Sequence, residues 1–356
     1  MLGTIDINKF HRVDYIENRC AFFFVVKSQD QVERRKRMVE SKKNGKFGRL
    51  KERDTAVGLL VKGMFERGKV GILWQKEFRE PRHICELSKG TFLLTEINKI
   101  NEIDSKGRIL REYWHPWFAF LHTIVVDEDK SQMLTVSSGY DMVMELNIQT
   151  GIETWRWSAW DNGFNPDDDG YYLASSKEKY LQYKTAGLRA ILITPEDYDE
   201  HGLITSRRSA HPNMAVYDVY NEGHILISIG HTGDIYRVGI ANNRKVKVID
   251  FLGQMPHGLG AYNGGWIVTD TTQARIYDLG KNFEIRNIWH LGNLPGKDDT
   301  VGDNEWVQNT LPLGVNQFLA IDSNRGLIHF DSAKLEYAVY EVNGNWCIQD
   351  IFILRE

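Results

Sequence analysis

One short pattern recurs along this chain and limits what it can fold into. Five segments begin with His or Asn and run into an apolar stretch. They start at His83 (HICELSKGTFLL), His122 (HTIVVDEDKSQMLTV), His211 (HPNMAVYD, leading into HILIS), His257 (HGLGAYNGGWIV) and Asn309 (NTLPLGVNQFLA). The steps between these leading residues are 39, 89, 46 and 52. Each segment continues through turns into further strand-like runs, and the third runs read INKINEID, VMELNI, DIYRVGI, ARIYDL and GLIHFD. A repeat of about 40–50 residues carrying four short strands marks a blade of a β-propeller. Radial blades bury both sheet faces against their neighbours, which suits Val, Ile and Trp at alternating positions.

The reading is therefore all-β, with residues 1–356 forming a single β-propeller domain. Residues 1–80 and 343–356 lie outside the five repeats. They contain strand-like runs at 20–26, 56–62 and 70–75, and from Trp346 to Leu354. Neither end holds four strands by itself, so the two together are expected to make one composite blade. Joining the N- and C-terminal strands in one sheet removes the free edges of an open ring. That gives six four-stranded blades, with five or seven as the alternatives.

Two insertions interrupt the repeat. Residues 31–53 carry ten Lys and Arg with little apolar content. Interspersed Glu and the lack of interleaved aromatics favour a solvated surface helix or loop over a site for an anionic partner. Residues 159–208 account for the long step of 89. They include SSKEKYLQYKTAGLRAILI, whose Leu and Ala have helical spacing. The expectation is a partly helical excursion over one mouth of the ring, with a degenerate extra blade as the alternative.

Composition excludes several function classes. The net charge of −4 gives no cationic field for nucleic acid. Cys20, Cys85 and Cys347 form no CxxC pair and are too scattered for a disulfide framework. The N-terminus has no apolar leader core, and AFFFVV at 21–26 is far short of a membrane span, so no membrane association and a cytoplasmic location are expected. Gly258-Leu-Gly260 lacks the βαβ context of a nucleotide fingerprint, so no nucleotide cofactor is expected. The loop Asn165-Pro-Asp167-Asp-Asp169-Gly170 matches the start of a calcium loop, but its twelfth position is Ser176. It reads as a turn with solvated carboxylates.

What remains is the set of leading residues. In a propeller the residue that leads each innermost strand sits at one mouth, and the turns between second and third strands open on the same face. His83, His122, His211 and His257 lead four blades, and Asn309 leads the fifth. The turns bring Glu96, Asn98, Tyr140, Asp141, His231, Gln273, Arg275 and Arg325 to that face. Imidazole nitrogens on one axis suit a divalent transition metal such as zinc or iron. The metal ligands are then His83, His122, His211 and His257. Glu96, Tyr140, Asp141 and His231 are the acid–base candidates, and Asn309 and Arg275 bind the substrate. Alternatively one His acts as a nucleophile without metal.

The stretch from His122 to Trp157, with its leading His, its VSS strand end and its closing Thr150-Gly151…Trp157 turn, resembles a blade of the arylsulfotransferase-type propellers. The stretch from His211 is similar in style, and the resemblance spans roughly residues 80–340. It implies the propeller fold, and channel-facing histidines that bind an aryl sulfate, one of them transiently sulfated. The matching positions are His122, His211 and His257. The arginine that follows the double serine in that family is absent, since Ser137-Ser138 is followed by Gly139. Three functional readings follow. The first is a small-molecule enzyme with a histidine ring and a metal, acting as lyase, hydrolase or oxidoreductase. The second is a metal-free, arylsulfotransferase-like enzyme. The third is a non-catalytic protein-binding propeller.

Overall fold

Alternation along Gln132–Ser137 shows how the sheets are built. Met133 points into one apolar cluster, while Leu134 and Val136 point into another on the opposite face. The neighbouring strand Met142–Asn147 repeats this: Met142, Met144 and Leu146 face the first cluster and Val143 the second. A period of two with both faces apolar makes a sheet sandwiched between two others. Each fully buried Leu, Ile or Val side chain contributes about 1.5–3 kcal/mol relative to an exposed one.

In this computed structural model, residues 3–45, 51, 54–127, 129, 131–197 and 200–354 are described. Residues 46–50, 52 and 53 of the basic insertion, and 198 and 199 of the later one, lie outside the described residues. Among the described residues there are six four-stranded blades and two α-helices. In chain order, blade 1 holds the strands Ile84–Ser88, Thr91–Thr95, Lys99–Asp104 and Ile109–Trp114. Blade 2 holds Leu121–Asp127, Gln132–Ser137, Met142–Asn147 and Glu153–Ser158. Blade 3 holds Pro212–Tyr217, His224–Ile229, Ile235–Gly239 and Lys245–Ile249. Blade 4 holds His257–Tyr262, Gly265–Asp270, Arg275–Gly280 and Ile285–His290. Blade 5 holds Val307–Pro312, Gln317–Asp322, Gly326–Asp331 and Glu336–Tyr340.

Blade 6 is the composite sheet expected from the chain ends. The C-terminal strand Ile348–Leu354 pairs antiparallel with Arg19–Val26, which pairs with Val57–Glu66 and then Lys69–Arg79. Two N-terminal pairs of residues, Ile5–Asp6 and His11–Arg12, add parallel edges to blades 4 and 5. The fold is a six-bladed β-propeller.

The chain divides into two compact units, 1–40 with 55–84 and 248–356, and 41–54 with 85–247. In the first, Phe318, Ala320, Ile328 and Phe330 meet Trp289 and Ile276 between blades 4 and 5, and the Phe318 and Phe330 rings stack at 4.9 Å. Leu319, Ile321 and Leu327 face Phe22, Phe24, Val61 and Ile351 of blade 6. In the second, blade 2 is clamped between blade 1 and blade 3 as described above.

The long insertion belongs to the second unit, and its described residues form a two-stranded sheet rather than a further four-stranded blade. Tyr172–Ala174 and Ala190–Leu192 pair in parallel, and helix α2, Lys177–Thr185, connects them. Ser176 caps α2 by accepting from the Lys179 N–H at 3.2 Å. Leu173, Ile193 and Leu203 anchor the excursion in the core beside blade 1. Its Asp-rich loop is a turn, as expected, but the Asp167 carboxylate is buried rather than solvated: Oδ1 accepts from the Asp169 and Tyr171 N–H groups, and Oδ2 accepts from Arg207 at 3.3 Å.

The basic insertion begins as helix α1, Gln31–Lys43, with Asp30 capping Glu33 N–H at 2.9 Å. It departs from a uniformly solvated segment, because Gln31 and Arg34 are buried. Its first turn is tied down by polar contacts. Gln31 Nε2 donates to Ser323 O at 2.6 Å, and Arg35 bonds Asp298 at 2.7 Å. Among the described residues, no helix is long and apolar enough to cross a membrane.

Candidate functional site

The first strand of each blade places the residues of interest. In blades 2 to 6 its ladder shifts register at the start, where extra residues bulge out of the pairing. Such bulges re-aim side chains. They also separate the leading histidines. His122 lies within the bulge of blade 2, whereas His257 is paired with Thr269 just before the bulge of blade 4. His211 precedes its strand, with φ +51°, and His83 precedes Ile84. The four histidines therefore do not occupy one register position. Spacing in the sequence cannot distinguish a bulged residue from a paired one.

In the second unit three imidazoles gather. The His122 and His211 rings meet edge to face at 5.9 Å, and His231 stacks on His211 at 5.8 Å with 11° between the planes. Arg208, almost fully buried, donates from Nη1 to His211 Nδ1 at 3.2 Å. A guanidinium can only donate, so Nδ1 accepts and Nε2 carries the proton of neutral His211. Arg208 is itself held by donations to Leu203 O and His201 O, with its guanidinium 4.1 Å from the Phe120 ring centre. Burial pulls the His231 pKa below its usual value, against the opposing charges of Asp141 and Asp168. His231 is thus neutral at neutral pH.

Asp141 orders this group through the backbone. It sits at φ +52° after the second strand of blade 2. Its Oδ1 accepts from His211 N–H at 2.7 Å, and its Oδ2 accepts from Ser209 N–H at 2.8 Å and Trp160 Nε1–H at 3.1 Å. With those lone pairs engaged, Asp141 is a clamp on the entry to blade 3. Tyr140 is packed in the core against Trp117, ring centres 5.1 Å apart. Glu96 accepts from Asn101 Nδ2 at 2.6 Å and pairs with Lys99.

In the first unit, His83 and Asn309 are brought together by a residue the sequence reading did not single out. Asp350, in the first strand of blade 6, accepts from Asn309 Nδ2 at 2.8 Å and lies 3.6 Å from His83 Nε2. Burial raises the Asp350 pKa, and His83, Ile84 N–H and Asn309 oppose that rise. His257 is hydrogen-bonded through Nδ1 to Thr271 Oγ1 at 2.8 Å. Burial holds its pKa down at about 3, with Arg34 and Lys27 pushing the same way. Arg275, half-buried, acts on Tyr277 and on Asp270, whose carboxyl burial lifts to about 6.

The metal centre expected of His83, His122, His211 and His257 finds no support in this arrangement. Among the described residues, no group of three or more His, Cys, Asp or Glu is placed to hold a metal ion. Three of these imidazoles have the partners just described. His83 faces Asp350, His257 bonds Thr271, and His211 Nδ1 is taken by Arg208.

Comparison with known proteins places the fold and nothing finer. No family model matches the chain. No curated protein matches it either. A solved protein of unknown function from Bacteroides caccae superposes with a TM-score of 0.57 at 12% identity, covering 95% of this chain and 100% of that one. A chain from a nidogen/laminin complex gives a TM-score of 0.55 at 10% identity, covering 94% and 98% respectively. At such identities the likeness is one of fold alone, and it is to propellers that this chain is similar.

Proposed function

We propose that the protein is a small-molecule enzyme that works through paired imidazoles without a metal ion. One observation carries the reading: His231 stacks on a His211 whose tautomer is set by Arg208. His231, neutral through burial, is a proton acceptor or nucleophile. The proton of His211 sits on Nε2, and an N–H of this kind is a donor suited to charge developing on a substrate oxygen. His122 lies edge-on to His211 and lines the same group. The chemistry this supports is acyl or sulfuryl transfer, or proton abstraction beside a carbonyl.

The test is a panel of chromogenic aryl sulfates, aryl phosphates and aryl esters, assayed with a chelator present. At least one class should turn over, and H231N should lower that rate about 100-fold or more, the usual scale of a general base. The rate should rise with pH through a pKa below 6.5, following His231. If no class turns over and the His231 imidazole resonances are unmoved by every panel member, the reading fails, and a non-catalytic binding propeller takes its place.

A further inference from the structure

The first unit holds a buried cation that, among the described residues, pairs with no carboxylate. Arg34, in the first turn of α1, is 6% exposed. Its Nη2 donates to the amide oxygen of Gln308 at 2.7 Å, a neutral acceptor that also takes Trp306 Nε1–H at 2.7 Å. Its guanidinium carbon lies 5.4 Å from the Trp306 ring centre. Its Nη1 is buried and has no hydrogen-bond partner. An isolated buried charge is costly, and buried guanidinium groups ordinarily face a carboxylate or phosphate.

The surrounding charges deepen the imbalance. Burial, Arg37 and Arg35 lower the Arg34 pKa, and the neighbouring Cys347 side chain opposes them through charge and a side-chain hydrogen bond. Arg35 is neutralised by Asp298, which leaves that carboxylate engaged at 2.7 Å. Arg34 and Lys27 both act on His257. Ser323, whose carbonyl takes Gln31 Nε2 and Arg35 Nη2 from the first turn of α1, has a buried Oγ without a partner among the described residues, as do the acceptors Gln31 Oε1 and Asn324 Oδ1. These groups come from three places: the first turn of α1, the start of the first strand of blade 5 with Trp306 just before it, and the turn after that blade's second strand.

We infer that Arg34, with Gln308, Trp306 and Ser323, forms a site for the oxyanion of a small hydroxylated molecule, a carboxylate, sulfate or phosphate group. An oxyanion supplies the paired acceptors that a guanidinium fork fits. Hydroxyl groups on the rest of the ligand satisfy Gln31 Oε1 and Asn324 Oδ1. Solvent does not reach Nη1, so entry needs the first turn of α1 to shift. That turn is held by hydrogen bonds to Ser323 O and Gln308 and an ion pair to Asp298, contacts that water can replace. Its residues are other than those of the imidazole group.

The experiment is thermal unfolding of the full chain with phosphate, sulfate or gluconate, ionic strength held constant with sodium chloride. At least one of the three should raise the midpoint in a saturable manner. R34M should melt at or above the wild-type temperature in chloride alone, because the uncompensated charge is gone, and should lose the anion response. R34K keeps the cation without the fork, and its half-saturating concentration should rise at least tenfold. No saturable response to any of the three, or an equal response in R34M, overturns the proposal. Should R34M fail to fold, an R34K response equal to wild type does the same.

Discussion

The carboxylate of Asp141 accepts the backbone N–H of His211 at 2.7 Å, which ties the turn of one blade to the start of the next. The same carboxylate takes Ser209 N–H, Ser209 Oγ–H and Trp160 Nε1–H. It thereby holds His211 at its left-handed φ of +51°, a conformation uncommon for a residue other than glycine. D141N would set an amide donor against these donors. The expected loss is about 2–4 kcal/mol, on the scale of breaking a buried, charge-assisted network. Urea unfolding measures it, and a loss below half a kcal/mol would show that the clamp does not bear on stability.

Gly258 is required where it follows His257. Its φ is +62°, and a Cβ there would stand 2.5 Å from Asn309 Oδ1 and 2.7 Å from Thr269 Oγ1. G258A should lower stability by about 1–3 kcal/mol through strain and crowding. It should also loosen the Asn309–Asp350 bond, seen as faster exchange of the Asn309 side-chain amide protons by NMR. An unchanged unfolding midpoint would contradict the packing described.

Acid should destabilise the protein between about pH 6.5 and 3. Burial lowers His257 to about 3 and His329 to about 4, both from 6.5. In that window the unfolded chain binds more protons than the folded one, so stability falls as pH falls, by about 1.4 kcal/mol per pH unit for each such group. Asp270, raised to about 6 from 3.8, acts with the opposite sign over part of the window and offsets one histidine. The double variant H257Q/H329Q should lose less stability than wild type between pH 7.5 and 4.5 in denaturant titrations. An identical loss would assign the acid sensitivity to other groups.

Removing residues 346–356 should abolish cooperative folding. The strand Ile348–Leu354 supplies the first strand of blade 6, and Trp346, Ile348 and Ile351 are buried against Phe22 and Phe24. Without it, Arg19–Val26 becomes an open apolar edge, which promotes aggregation. The readout is soluble yield and a single thermal transition. A truncated chain that unfolds cooperatively would show that blade 6 stands without its C-terminal strand.

The repeat was legible because burial on both sheet faces writes itself into every strand. Met133, Leu134 and Val136 must be apolar whatever lies beyond them, and the same holds for Phe318 to Ile321. The pairing of the chain ends followed from counting strands, since an edge such as Arg19–Val26 needs a partner. The site was less legible. His211 and His231 do meet, and His83 does reach Asn309, but through Asp350. Arg34 carried no signal: in sequence it is one cation in a charged run, and a charged run on a helix reads as solvated.

By itself, then, the order of residues determined the all-β class, the blade repeat and the composite sheet, because these depend on local periodicity and on leaving no edge unpaired. Tertiary structure alone decided which leading histidines share surroundings and which charges are buried. A bulge moves a side chain out of register without changing the spacing, as between His122 and His257. Whether a guanidinium meets water or the interior depends on contacts hundreds of residues apart, as between Arg34 and Gln308.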